Sequence, residues 1–316
     1  MASGNDKPLG DRPAGPGPGT AKSVTDPDAL TDRLRSVGYL SDRGISTAAA
    51  LADALDRPLF LEGEAGVGKT SLAAALAEVR GTELIRLQCY EGIDAAQALY
   101  DWDFPRQVLH LRAVEAVGTA GNGSVDLAGV ESELYDERFL LARPILRALR
   151  SPRSVLLIDE IDRADDEFEA FLLEVLSDFA VTIPELGRVA ASDPPLVVLT
   201  SNRTREVHDA LKRRCLYHWI EHPTLEREVQ ILRHRLPNVS EELTIGVARA
   251  VARLRASDLI KPPGVAESLD WARALDALGC RDLDPEVAAL TLGAVLKIRE
   301  DIERVTASGL SALLAS

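Results

Sequence analysis

From residue 58 onward the chain alternates short strand-like apolar runs with stretches whose apolar residues recur at helical spacing. The runs are Pro58 to Leu61, Leu84 to Gln88, Ser154 to Ile158, Leu196 to Thr200 and Tyr217 to Glu221. Those at 154–158 and 196–200 are apolar almost throughout, which is the pattern of a strand covered on both faces. Between them, 69–79 and 168–179 read as helices. Strand–helix alternation predicts an α/β fold with a parallel sheet. After Pro223 the strand pattern stops, and helices are predicted over 225–236, 240–256, 265–278 and 284–305. Pro262-Pro263-Gly264 and Asp284-Pro285 punctuate them, the second as an N-cap with proline at the first helical position.

Ahead of the alternating region, 28–55 reads as two amphipathic helices split near Gly38. Leu30, Leu34 and Val37 mark the first; Ala48, Leu51 and Leu55 mark the second. Residues 1–27 are rich in Gly and Pro and have too little apolar surface to order themselves. The expected division is therefore a disordered tail over 1–27, an α/β domain over 28–223 and a small all-helical domain over 224–316.

Composition changes this picture mainly by exclusion. The 316 residues carry 36 Lys+Arg against 50 Asp+Glu, a net charge of −14. A general nucleic-acid surface needs a basic excess, so no nucleic-acid partner is expected. Aromatic residues are only 4%, too few for repeated base-stacking platforms. Cys89, Cys215 and Cys280 form no CxxC pair, and reduced structural thiols are the expectation. No apolar run is long enough for a membrane-spanning helix, and the start of the chain lacks the apolar core of a signal peptide. A cytoplasmic location is expected.

The chemistry concentrates at strand ends. Gly63, Glu64, Ala65, Gly66, Val67, Gly68, Lys69 and Thr70, followed by Ser71, fit GxxxxGK[ST] between a predicted strand and a predicted helix. Glycines let backbone amides wrap phosphates closely, and the helix N-terminus adds partial positive charge. Lys69 is placed to reach the β- and γ-phosphates of ATP, and the Thr70 hydroxyl to sit on Mg²⁺. Asp159 and Glu160 end the apolar run Val155 to Ile158, where an open α/β sheet presents its ligand groups. Asp159 suits the Mg²⁺ site, and Glu160 suits activation of the attacking water. Asp162, Asp165 and Asp166 read as solvated helix N-terminal acids. Asn202 ends the 196–200 run and is placed to hold the lytic water or sense the γ-phosphate. Lys212, Arg213 and Arg214 end a predicted helix, either complementing its dipole or supplying an arginine finger to a neighbouring subunit.

This ordered set of motifs resembles AAA+ ATPases with a helical lid, and within them the MoxR group, in the branch of CoxD-like proteins. The narrower resemblance rests on Gln88 to Gly92, Ala98 to Trp102, Pro144 to Leu146, Leu173 to Leu176 and Val181 to Ile183. It implies Walker A roles for Lys69 and Thr70, Walker B roles for Asp159 and Glu160, sensor 1 for Asn202, and the finger for Arg214 with Arg213 beside it. It also implies an insertion at 91–138 and a hairpin at 181–192, both facing a ring pore or a partner. The function implied is chaperone-like, ATP-driven remodelling or maturation of a protein client, metal-centre or molybdenum-hydroxylase maturation being one option. A hexameric ring and a von Willebrand A-domain partner are implied with it.

One position departs from the family. Where members carry a sensor 2 arginine in a Ser-Pro-Arg stretch, this chain has Glu267, and Arg273 is the candidate substitute. Tyr90, Tyr100, Trp102 and Phe104 gather in the insertion, as local packing or as a partner-recognition patch. His218-Trp219-Ile220-Glu221-His222 matches H-x-x-E-H formally, but a strand would hold its two imidazoles too far apart for one metal. Two other readings stand beside the remodelling machine. A nucleic-acid-linked loader or transcription activator is opposed by the charge and by the absence of G-A-F-T-G-A. A nucleotide-dependent interaction switch without turnover is opposed by the presence of both Glu160 and Asn202.

Overall fold

Successive side chains of a strand point to opposite faces, and this chain makes both faces apolar. In the computed structural model, which describes residues 26–120 and 133–309, five parallel strands form the central sheet. They are β1 (Leu59–Gly63), β2 (Leu84–Gln88), β5 (Val155–Asp159), β8 (Leu196–Ser201) and β9 (Leu216–Ile220), in the order β2-β5-β8-β1-β9. Leu59, Leu61, Val155, Leu157, Leu196 and Val198 face one way. They pack on Leu72 and Leu76 of helix Lys69–Arg80, and on Leu34 and Ile45 of the N-terminal helices. Phe60, Leu156, Ile158, Val197 and Leu199 face the other way, onto Ile145, Leu146, Phe168 and Leu172. Two cores thus clamp the sheet and fix the level of its carboxyl end.

Side-chain caps set the helix starts. Asp42 accepts from Ile45 N at 2.8 Å and Asp165 from Phe168 N at 2.9 Å. The N-terminal pair, Pro27–Ser36 and Arg43–Ala54, breaks around Gly38 as its periodicity predicts. The tail expected over 1–27 lies outside the described residues up to residue 25, as do 121–132 of the insertion. The described part of that insertion includes helix Ala95–Leu99, β3 (Tyr100–Trp102) and helix Phe104–Ala120, and β3 pairs antiparallel with β4 (Leu140–Ala142), just past the expected limit. A second ribbon pairs β6 (Ala180–Ile183) with β7 (Gly187–Ala190).

The C-terminal helices share their own core around Trp271, fully buried, whose Nε1 donates to Thr291 Oγ1 at 2.8 Å. The single helix expected over 284–305 is two, Pro285–Val295 and Arg299–Ser308, with Leu296 and Ile298 extended between them. Lys297 Nζ caps the open end by donating to Gly293 O and Ala294 O at 3.3 and 2.8 Å. Buried Asp301 then ties the second helix to the loop before it, accepting from Ile260 N and Lys261 N at 2.8 and 3.0 Å. No described helix is long and apolar enough to cross a membrane.

Candidate functional site

The glycine-rich segment forms the turn between β1 and helix Lys69–Arg80. Gly66 and Gly68 sit at φ +77° and +100°, a region L side chains rarely adopt, so the turn needs glycine there. Lys69 is buried at 6% exposure, and its Nζ donates to Gly63 O and Glu64 O, each at 2.7 Å. Burial pushes its pKa below the ordinary lysine value, while Asp162, Glu64, Asp159 and Glu160 oppose that shift. Thr70 and Ser71 open the helix and are exposed. Helix N-terminal amides beside a buried ammonium suit a phosphate chain.

Asp159 closes β5 at 3% exposure. It accepts from Thr70 Oγ1 at 3.1 Å, Thr200 Oγ1 at 2.5 Å and Arg86 Nη2 at 2.6 Å. A hydroxyl facing a carboxylate is the oxygen donor set that Mg²⁺ takes, so the residues present fit that ion. Glu160 follows in a left-handed conformation (φ 56°, ψ 51°), its N–H donating to Thr200 Oγ1 at 2.9 Å. Its carboxylate accepts from Arg163 Nε at 2.9 Å, Gln88 Nε2 at 3.2 Å and Asn202 Nδ2 at 3.4 Å.

Arg86, Gln88 and Thr200 escape sequence reasoning. Register alone brings them in, since Gln88 lies opposite Asp159 across β2 and β5. Asp162 corrects an expectation, because it is not solvated. It is 3% exposed and accepts from Asn202 N, Thr204 N and Thr204 Oγ1 at 3.2, 2.8 and 2.6 Å. It holds the backbone of the loop carrying Asn202. Asp165 does cap its helix, and Asp166 pairs with Arg205 at 3.1 Å.

These groups border a cleft of about 640 Å³. Its floor is the phosphate turn with Asp159, Glu160 and Asn202, and its walls include Tyr39, Arg227 and Val265. The lid touches the turn through main chain: Val265 N donates to Gly66 O at 3.0 Å. A Cβ on Gly264 would come within 2.6 Å of Ala65 O, so this approach also needs glycine. Glu267 turns back to accept from Gly264 N at 3.0 Å. A Cβ on Gly66 would meet its Oε2 at 2.8 Å, so the acid stands beside the turn. Arg273, the candidate substitute for the sensor cation, is half exposed, pairs with Asp270 at 3.3 Å and does not line the cleft.

Arg213 and Arg214 are exposed at the end of helix Asp209–Arg214 and do not line the cleft of their own chain. Among the described residues neither side chain has a hydrogen-bond or ion-pair partner. Arg57 satisfies the helix end instead, donating to Arg213 O at 2.7 Å and Arg214 O at 3.0 Å. Lys212 differs, reaching buried Glu62 at 3.9 Å. His218 lies in β9 and His222 beyond it, and no described cluster of metal-binding side chains forms. His222 lies against the lid with Nδ1 buried and unpartnered, and burial and Arg255 lower its pKa. Cys89 and Cys215 are buried, and burial pushes each thiol up to about 12.

The family model described as AAA domain (dynein-related subfamily) matches residues 58–215. Chaperone protein ClpB of Mycoplasma genitalium is 32% identical over 144 residues, which are 46% of this chain and 16% of that protein. Midasin of Giardia intestinalis is 42% identical over 57 residues, 17% of this chain and 1% of that protein. The chain thus spans a small fraction of the length of these relatives. Among solved structures, the Thermotoga maritima RuvB Holliday junction branch migration motor is similar at a TM-score of 0.46 and 15% identity, covering 90% of this chain and 80% of that one.

Proposed function

The chain belongs to the AAA domain family, in its dynein-related subfamily, and from that premise we propose an ATP-hydrolysing machine that remodels or matures a protein client. ATP lies in the cleft between the α/β core and the lid. The turn amides and Lys69 hold its β- and γ-phosphates. Thr70 and Asp159 hold Mg²⁺, which neutralises charge on the phosphate oxygens. Glu160 takes the proton of the attacking water, and Asn202 holds that water and the γ-phosphate in line. Arg214 of a neighbouring copy, with Arg213 beside it, stabilises the charge that develops as the phosphoryl group leaves.

The observation that carries this reading is the convergence of Lys69, Thr70, Asp159, Glu160 and Asn202 on one cleft, with residues 161–201, helix Asp166–Asp178 among them, separating even the last two motifs in sequence. The two unpartnered arginines outside the cleft support a site shared between copies, and a shared site implies a closed ring, for which we take the hexamer. The finer reading is a MoxR-type protein of the CoxD-like branch. It rests on the stretches quoted from the sequence, and it brings a von Willebrand A-domain partner and a cytoplasmic location. The insertion and the β6–β7 ribbon are the parts that ATP turnover would move against a client.

The test is phosphate release by the assembled protein. Wild type is expected to exceed Glu160→Gln by about 10²- to 10⁴-fold while both bind ATP. Equal rates would overturn the enzymatic reading.

A further inference from the structure

The seat of the metal holds a cation of the protein's own. Asp159 is buried, and Glu160 and Asp162 stand beside it. A buried carboxylate without a counter-charge is costly. Arg86 supplies one from β2, its Nη2 donating to Asp159 Oδ2 at 2.6 Å. The same nitrogen donates to Gln88 Oε1 at 2.6 Å. The other end of that amide, Gln88 Nε2, donates to Glu160 Oε2 at 3.2 Å. One amide therefore spans the metal-site carboxylate's counter-ion and the carboxylate assigned to water activation. The Arg86 side chain is 52% exposed, so it can turn to water once another cation takes its place at Asp159.

We propose that Arg86 is a placeholder for the divalent cation at Asp159. The proposal rests on the ATPase reading above and adds to it a positioning residue that reports whether the metal is present. In the metal-free site Arg86 neutralises Asp159. When Asp159 turns to a divalent ion, Arg86 loses its carboxylate and faces like charge. Gln88 keeps its other bonds, its Nε2 donating to Cys89 O at 3.4 Å and to Asp159 O at 3.5 Å.

The test is Mn²⁺ binding in the presence of saturating ADP, read by electron paramagnetic resonance, with no turnover involved. Arg86→Gln removes the competitor and is expected to bind Mn²⁺ about fivefold more tightly than wild type. Arg147→Gln makes the same change of charge on helix Pro144–Arg150, beside Glu83 at the other end of β2, and is expected to match wild type. If Arg86→Gln fails to fold, Arg86→Lys carries the test, because it keeps the charge but loses the planar fork. It is then expected to bind about twofold more tightly. Unchanged or weaker Mn²⁺ binding in the folded Arg86 variant overturns the placeholder and leaves the ATPase reading standing. Wild type that binds no Mn²⁺ with ADP overturns both.

Discussion

The arginines paired with the acids of the cleft floor and those on helix Asp209–Arg214 stand in opposite states. Arg86 and Arg163 are committed to Asp159 and Glu160 of their own chain. Arg213 and Arg214 are exposed and have no side-chain partner among the described residues. Both pairs carry the same permanently charged, planar group, so chemistry does not distinguish them. Placement does. Arg86 and Arg163 balance acids of their own chain, whereas those on the helix are left available to a charge that the chain does not itself contain. A protein with net charge −14 that leaves two adjacent arginines unpaired has few reasons to do so within one copy.

The comparison breaks most sharply if Arg214 serves only its own helix. Arg214→Ala is expected to lower phosphate release by the assembled protein by about 10³-fold or more, with ATP binding retained. Mixing it with Lys69→Ala should restore part of the activity, because each inactive protein supplies what the other lacks. No recovery in demonstrably mixed assemblies would end the shared-site reading. A smaller effect tests the floor. Asp162→Ala removes an acceptor of three hydrogen bonds and is expected to cost about 3 kcal/mol of stability in chemical denaturation. Asp162→Asn keeps the shape and part of the bonding and should cost less. In both variants kcat should fall more than KM rises, since Asn202 is misplaced while the phosphate turn is intact.

The smallest effect concerns His222. His222 is harder to protonate folded than at its ordinary value of 6.5, mainly through burial. Below that pH the unfolded chain takes up a proton that the folded one resists. Stability should therefore decline as pH falls through 6.5 and on toward the depressed folded value. His222→Gln should flatten that part of a denaturation-against-pH profile, and an unchanged slope would remove this ring as its cause.

Most of the framework was legible in the chain. The apolar runs gave β5 and β8 within a residue or two, because strands buried on both faces have nothing polar to hide their limits. The order β2-β5-β8-β1-β9 was not legible, since alternation says nothing about which strands adjoin. That one gap accounts for the missed partners. Arg86 and Gln88 look like ordinary polar positions until β2 is placed against β5, and Thr200 until β8 is placed on the other side. Asp162 was misread for a related reason: an acid in an acidic run looks solvated, and only the loop 202–204 folding over it shows otherwise. The three-residue strands β3 and β4 are too short to leave a period in the sequence.

The contact between lid and phosphate turn has a consequence for how the protein tolerates change. It is made by the amide of Val265 and the carbonyl of Gly66, groups that every residue but proline carries. Drift in the side chains at 265 and 266 leaves that amide and carbonyl in place. The coupling of the two parts is therefore inherited with the backbone, and what selection must guard is the pair of glycines that let the chains approach. Proline at 265 is the one residue that would delete the donor while still suiting the first turn of its helix.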